Sequence, residues 1–153
     1  MAASAQLAMF TDAEEEILRR VDMAKRSDGM TNVERFVLDT LLWQRAFGLD
    51  KAVSIQDIQR YAADVNCGRF PCDRNIKDAV KRLLEVFNLP IGSCRIPGRN
   101  GYAFCIADKD CEDAVRPLKS EIYSMFRRIK ILDPKSAFVK MLQGQMDLLS
   151  EGE

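Results

Sequence analysis

Two amphipathic segments, a connector broken by glycine and proline, and two short apolar runs around a basic turn follow one another from Ser54 to Ile106. That order limits the folds open to the chain. The first segment, Ser54–Val65, places Ile55, Ile58, Ala62 and Val65 on one side. Gly68 and Pro71 interrupt the pattern. The second segment carries Ile76, Ala79, Val80, Leu83, Leu84 and Phe87, spaced i, i+3, i+4, i+7, i+8 and i+11, the stripe of a helix buried along one face. Asp73 is placed to cap it. Asn88 suits a left-handed end residue, and Pro90 is a stop. Ile91–Ile96 and Tyr102–Ile106 read as strands around Pro97–Gly101, where Asn100-Gly101 is the tight-turn signal. The expected order is helix, turn, helix, hairpin.

The flanks read as helical. Residues 1–10 are small and weakly patterned, and fraying is expected there. Thr11 and Glu14, then Thr31 and Glu34, have the spacing of capping boxes, and Ser54 with Asp57 has a third. Ile17, Leu18 and Val21 stripe the first helix, which Gly29 closes. The second helix is expected from about Val33 to Phe47, with Gly48 ending it. Its apolar residues occupy more than one face, since Leu38, Leu42 and Trp43 lie away from Val33, Val37 and Leu41. Such a helix needs more than one cover, and the terminal helices are the candidates. Beyond Asp108, Val115, Leu118, Ile122, Met125, Phe126 and Ile129 again have helical spacing. Pro117 requires a start near Arg116 or a kink. Asp133-Pro134 breaks the run. Ser136–Leu149 then forms a last amphipathic helix, with Phe138, Met141, Leu142, Met146 and Leu149 facing the core or a partner.

Charge narrows the function. The chain has 23 basic and 23 acidic residues. Bulk charge therefore speaks against a protein that coats nucleic acid. The distribution speaks the other way: Gln59–Gly101 holds eight basic residues (Arg60, Arg69, Arg74, Lys77, Lys81, Arg82, Arg95, Arg99) and four acidic ones. A local basic face on a neutral chain suits a modest-affinity, sequence-selective binder. On the outward side of the second motif helix, Arg74, Asn75 and Asp78 lie in the first turns, where side chains reach base edges. Arginine pairs with guanine and asparagine with adenine. Lys77, Lys81 and Arg82 are better placed for phosphates, which fix register without reading sequence. Arg95 and Arg99 suit a neighbouring phosphate or the minor groove. The plain counter-reading is that any amphipathic helix shows charges to water.

Other chemistry is poorly represented. The chain has no histidine, which removes the commonest general base, and it has no glycine-rich phosphate loop, so no enzyme is expected. Cys67, Cys72, Cys94, Cys105 and Cys111 are five in number and lack tight zinc-knuckle spacing, so neither metal nor cofactor is expected. Reduced thiols, no leader at Met1-Ala-Ala-Ser-Ala and no membrane-length apolar run imply a cytoplasmic protein, nucleoid-associated when on DNA. The acidic residues Glu14–Glu16 and Asp108–Asp110 are read as solvated helix starts.

Phe70-Pro-Cys-Asp-Arg-Asn-Ile-Lys-Asp-Ala-Val-Lys-Arg-Leu84, with Leu89-Pro-Ile-Gly-Ser-Cys-Arg95 and Gly101-Tyr-Ala-Phe-Cys105, resembles the winged helix-turn-helix domains of phage and prophage proteins. The resemblance covers about Thr31 to Leu132, including a following helix with basic residues. The long Cys67–Cys72 connector and the neutral total charge depart from the pattern. It implies a DNA-binding module with Arg74, Lys77, Lys81 and the wing arginines as contacts. The expected fold is mostly α (α+β), a winged helix with a small hairpin wing and helical extensions at both ends. The expected domains are 1–30, 31–108 and 109–153, packed as one unit. The expected function is sequence-selective binding of double-stranded DNA, as a regulator or a replication or recombination accessory of phage or mobile-element type. A homodimer through the terminal helices goes with that reading, because operators mirror two-fold symmetry. The alternative is a protein-interaction module that uses the winged helix as a scaffold and the terminal helices as its partner surface.

Overall fold

The structure, a computed structural model, describes residues 10–150. The expected fraying of residues 1–9 lies outside that range. The fold is mostly α with one small antiparallel hairpin, in a winged-helix-like layout. Helix α1 spans Asp12–Arg26 and α2 spans Asn32–Trp43, and each opens with a complete capping box, at Thr11 and Thr31. Helix α3 covers Ile55–Val65. Here the Ser54 hydroxyl accepts from Asp57 N–H, while the Asp57 carboxylate turns to Arg60 Nη1 at 3.4 Å, so only the serine half of the expected box forms. Helix α4 covers Asp73–Glu85 with Cys72 at its N-cap and no side-chain cap. Asp73 is thus the first helical residue rather than the cap, and its carboxylate accepts from Gln59 Nε2 instead, at 2.9 Å.

Helix α2 stops before the expected Phe47. Arg45 adopts a left-handed φ of 51°. Its N–H donates to Leu42 C=O at 3.1 Å, and Ala46 N–H donates to Leu41 C=O at 2.9 Å. These are the two bonds of a Schellman ending, made here by arginine where glycine is usual. The chain after it runs along the hairpin of β1 (Ile91–Ile96) and β2 (Arg99–Phe104). Gly48 N–H donates to Phe104 C=O, Phe104 N–H to Ala46 C=O, and Val53 and Tyr102 exchange both backbone bonds, all within 2.8–2.9 Å. The outer edge of β2 is therefore paired rather than open. Gly101 permits this: a Cβ there would lie 2.1 Å from Val53 C=O oxygen. Ile96 pairs with Arg99, so the turn is Pro97-Gly98, with Gly98 at φ 83°. Proline then left-handed glycine is the type II pattern. The turn is not at Asn100-Gly101, and β2 begins three residues before the expected Tyr102.

Helix α2 packs against α3 and α4. Val37, Leu38 and Leu41 of α2 are fully buried with Ile58, Ile76, Leu83, Leu89 and Phe104. Ile17, Val21 and Ala24 bring α1 into the same core. The Phe47 ring lies between Phe104, stacked at 5.7 Å, and Phe10, edge-on at 6.2 Å, so residue 10 is tied down. Trp43, expected under a cover, is 81% exposed because α2 ends there and only its other faces meet the core.

The chain divides into two compact units, 1–114 and 115–153. Helix α5, Asp108–Leu132, begins in the first unit and continues through Pro117. Pro117 cannot donate to Asp113 C=O, and the division falls within that turn. Asp110 holds the α5 start: its carboxylate accepts from Ala107 N–H at 3.1 Å, Ile106 N–H at 3.4 Å and Leu49 N–H at 3.1 Å. It is a structural cap, not the solvated acid expected there. Helix α6 spans Ala137–Ser150. Among the described residues, no helix is long and apolar enough to cross a membrane.

Candidate functional site

The turn between α3 and α4 is built by backbone conformation and one side chain. Cys67 and Gly68 both adopt positive φ, 52° and 83°, which reverses the chain after α3. Gln59 on α3 then donates to Pro71 C=O at 3.1 Å as well as to Asp73. Gln59 therefore fixes where α4 begins. Sequence reasoning missed it, because a glutamine on a helix carries no pattern of its own.

Helix α4 buries Ile76, Ala79, Val80 and Leu83. With 3.6 residues per turn, Arg74, Asp78, Lys81 and Glu85 form the stripe on the opposite side. Lys77 flanks that stripe on one side, and Asn75 and Arg82 on the other. All of these residues are exposed. Arg74, Lys77 and Lys81 have no hydrogen bond or ion pair to a described residue. Three cations thus stand in water on one helix, interleaved with Asp78.

Arg82 is different. Its Nε donates to Glu34 Oε1 at 2.6 Å and its Nη2 to Gly29 C=O at 3.4 Å. The Glu34 carboxylate is buried, and its other oxygen accepts from Thr31 N–H at 2.9 Å in the capping box of α2. Arg82 therefore fastens α4 to the start of α2. Its guanidinium neutralises a buried charge, a structural role that the residue's place on an outward flank does not suggest.

The wing lies close to the start of α4. Arg95 pairs with Asn100 and Ser93 with Tyr102, so these four side chains share one face of the hairpin. Tyr102 is half-buried, and burial pushes its phenol above the ordinary value. The Arg95 charge opposes that shift and the Asp73 charge adds to it. Tyr102 thus feels both the wing arginine and the first residue of α4. Arg99 opens β2, and its side chain lies outside what the structure describes. Arg69 is exposed in the connector, and Arg60 is exposed beside Asp57. An exposed pair of that kind contributes little and leaves the guanidinium available.

The thiols form no cluster. Cys67, Cys72 and Cys111 are exposed, Cys94 is buried and Cys105 half-buried. Burial, then the neighbouring Cys111 and Asp110, push the Cys105 thiol up to about 11. Among the described residues, no group of three or more cysteine or acidic side chains is arranged to hold a metal ion. Comparisons of the chain with protein-family models, with curated proteins and with solved structures returned no match.

Proposed function

We propose that the chain binds double-stranded DNA sequence-selectively, as a regulator or as a replication or recombination accessory of phage or mobile-element type. In this reading it is a winged-helix protein acting in the cytoplasm, on the nucleoid. Helix α4 enters the major groove, with Arg74, Asn75 and Asp78 toward base edges and Lys77 and Lys81 toward phosphates. Arg95, Arg99, Arg60 and Arg69 meet the flanking backbone. The observation that carries the reading is the trio Arg74, Lys77 and Lys81, exposed and, among the described residues, without partners on the side of α4 away from its core. On α1, by contrast, Arg19 and Arg20 pair with Glu16, and Arg26 with Asp22. Arg82 is set apart from the contacts, because Glu34 holds it.

The experiment is a salt titration of binding to mixed-sequence duplex DNA, for wild type and for Lys77→Glu/Lys81→Glu. Non-specific affinity of ~10⁻⁴–10⁻⁶ M is expected, with log affinity falling by about 0.9 per log unit of salt for each phosphate neutralised. The double variant is expected to lose most of that affinity and to flatten the slope. Salt-independent or absent wild-type binding ends the reading. A second reading, docking of another protein, is favoured by one specific observation: the exposed apolar side of α5 and α6.

A further inference from the structure

The C-terminal unit lacks a core of its own. Val139 is its one buried side chain among the described residues, and α5 buries none. Its apolar residues are nonetheless strictly ordered. In α5, Val115, Leu118, Ile122, Met125, Ile129 and Leu132 advance in alternating steps of three and four. In α6, Val139, Leu142, Met146 and Leu149 do the same. That is the spacing of helices that pack side by side at a shallow angle, as in coiled coils and helix bundles. Within the unit the two helices meet only in part. They leave an open apolar groove of about 310 Å³ lined from α5 by Ile122, Met125, Phe126 and Ile129. Leu118 is 51% exposed, Ile122 56%, Leu132 84% and Leu149 71%. A contiguous apolar seam left this exposed marks an interaction site rather than an ordinary monomer surface.

We infer that the groove is filled by α5 of a second copy of this chain, running antiparallel. The register follows from the residues. Antiparallel pairing about a two-fold axis between Tyr123 and Ser124 sets Val115 against Leu132, Leu118 against Ile129, and Ile122 against Met125 of the copy. Every position of the α5 seam then has an apolar partner in a self-complementary interface. The rim agrees. Glu121 and Arg128 border the same two layers from opposite copies, so the symmetry makes two Glu121–Arg128 pairs. Both side chains are exposed and without a partner among the described residues. Parallel pairing would instead set Glu121 beside Phe126 and make no charged pair. Pro117 falls outside the seam and does not obstruct it. An unrelated partner or an anionic lipid surface would need an apolar face, but neither needs this register or its matched charges. The pairing stands on residues outside α4 and the wing, and is read without DNA, so it fails or holds separately from the DNA reading.

The test is sedimentation equilibrium of the full chain without DNA, from about 1 to about 100 µM, a range that spans typical dimer constants. Wild type is expected at twice 17.4 kDa in the upper range. Glu121→Arg, at an exposed position where misfolding is not expected, should weaken the dimer about tenfold by setting like charges across both rim pairs. Glu121→Arg/Arg128→Glu should restore it. Ile122→Asn should abolish it. Monomeric wild type throughout the range overturns the inference. So does a dimer that Glu121→Arg leaves unchanged, or one that the charge swap fails to restore. Pelleting of monomeric wild type with phosphatidylserine vesicles would assign the seam to a lipid surface instead, and overturns it too.

Discussion

Arg82 and Lys81 are neighbours on α4, both basic, both at positions that read as phosphate contacts, and the structure sets them in different surroundings. Arg82 neutralises Glu34, whose carboxylate is buried and also closes the capping box of α2. Replacing Arg82 with alanine leaves that charge without its cation, which costs about 3 kcal/mol, the low end for a broken buried pair because Arg82 is itself half-exposed. Denaturant unfolding is the measurement, with Lys77→Glu/Lys81→Glu as the contrast. The double variant is expected within about 0.5 kcal/mol of wild type, since it touches no packed feature. Equal stability of Arg82→Ala and wild type would show that Glu34 finds another partner. The distinction was not legible in the sequence. Glu34 and Arg82 are 48 positions apart, and only the packing of α2 on α4 brings them together. Local signals, by contrast, were readable. Thr11 and Thr31 cap as their spacing predicts, and Asn88 takes the left-handed φ expected of it, 53°.

Elements were legible where a helical stripe recurs and obscure where a turn or a long-range contact sets the boundary. The α4 stripe predicted its buried residues because a helix on a flat core has one inward face. The wing turn was misplaced because Asn-Gly competes with Pro-Gly. Gly101 is needed inside β2 instead, where Val53 approaches too closely for any side chain. The end of α2 left no mark because Arg45 occupies a conformation that sequence assigns to glycine. Asp110 belongs to the same class. It sits in an acidic run that looks solvated, yet three backbone amides point at its carboxylate, one of them from Leu49, far back in the chain. These bonds join the 3-10 turn Leu49–Lys51 to the start of α5. Asp110→Ala is therefore expected to cost about 1–2 kcal/mol, as losing a helix cap does. Amide hydrogen exchange should then quicken at Leu49, Ile106 and Ala107 ahead of the rest of the first unit. Unchanged protection at Leu49 would mean that the 3-10 turn is held by the β2 bonds of the flanking Gly48 and Val53 alone.

At the scale of the whole molecule, the two units differ in how they are stabilised. The first has a core drawn from α1 to β2, and its stability is its own. Among the described residues the second has one buried side chain and an apolar seam facing water, so its helices gain stability chiefly when that seam is covered. If the cover is a second copy, mass action enters. A concentration about a hundred times the dissociation constant stabilises the paired state by about 2.7 kcal/mol, whereas the first unit is indifferent to concentration. Thermal melting followed by far-ultraviolet circular dichroism should then show two transitions. The lower one, carried by α5 and α6, should rise by several degrees as concentration increases, and the upper one should stay fixed. Glu121→Arg should remove most of the concentration dependence and leave the upper transition in place. A single transition that ignores concentration would mean that the C-terminal helices are stabilised within one chain. Pairing also bears on DNA. On the proposed DNA reading, two copies of α4 related by a two-fold axis would meet two half-sites in opposite orientation. The wild-type dimer should accordingly favour palindromic over single half-sites in a selection from random duplexes, and the Glu121→Arg chain should lose that preference while keeping its half-site sequence.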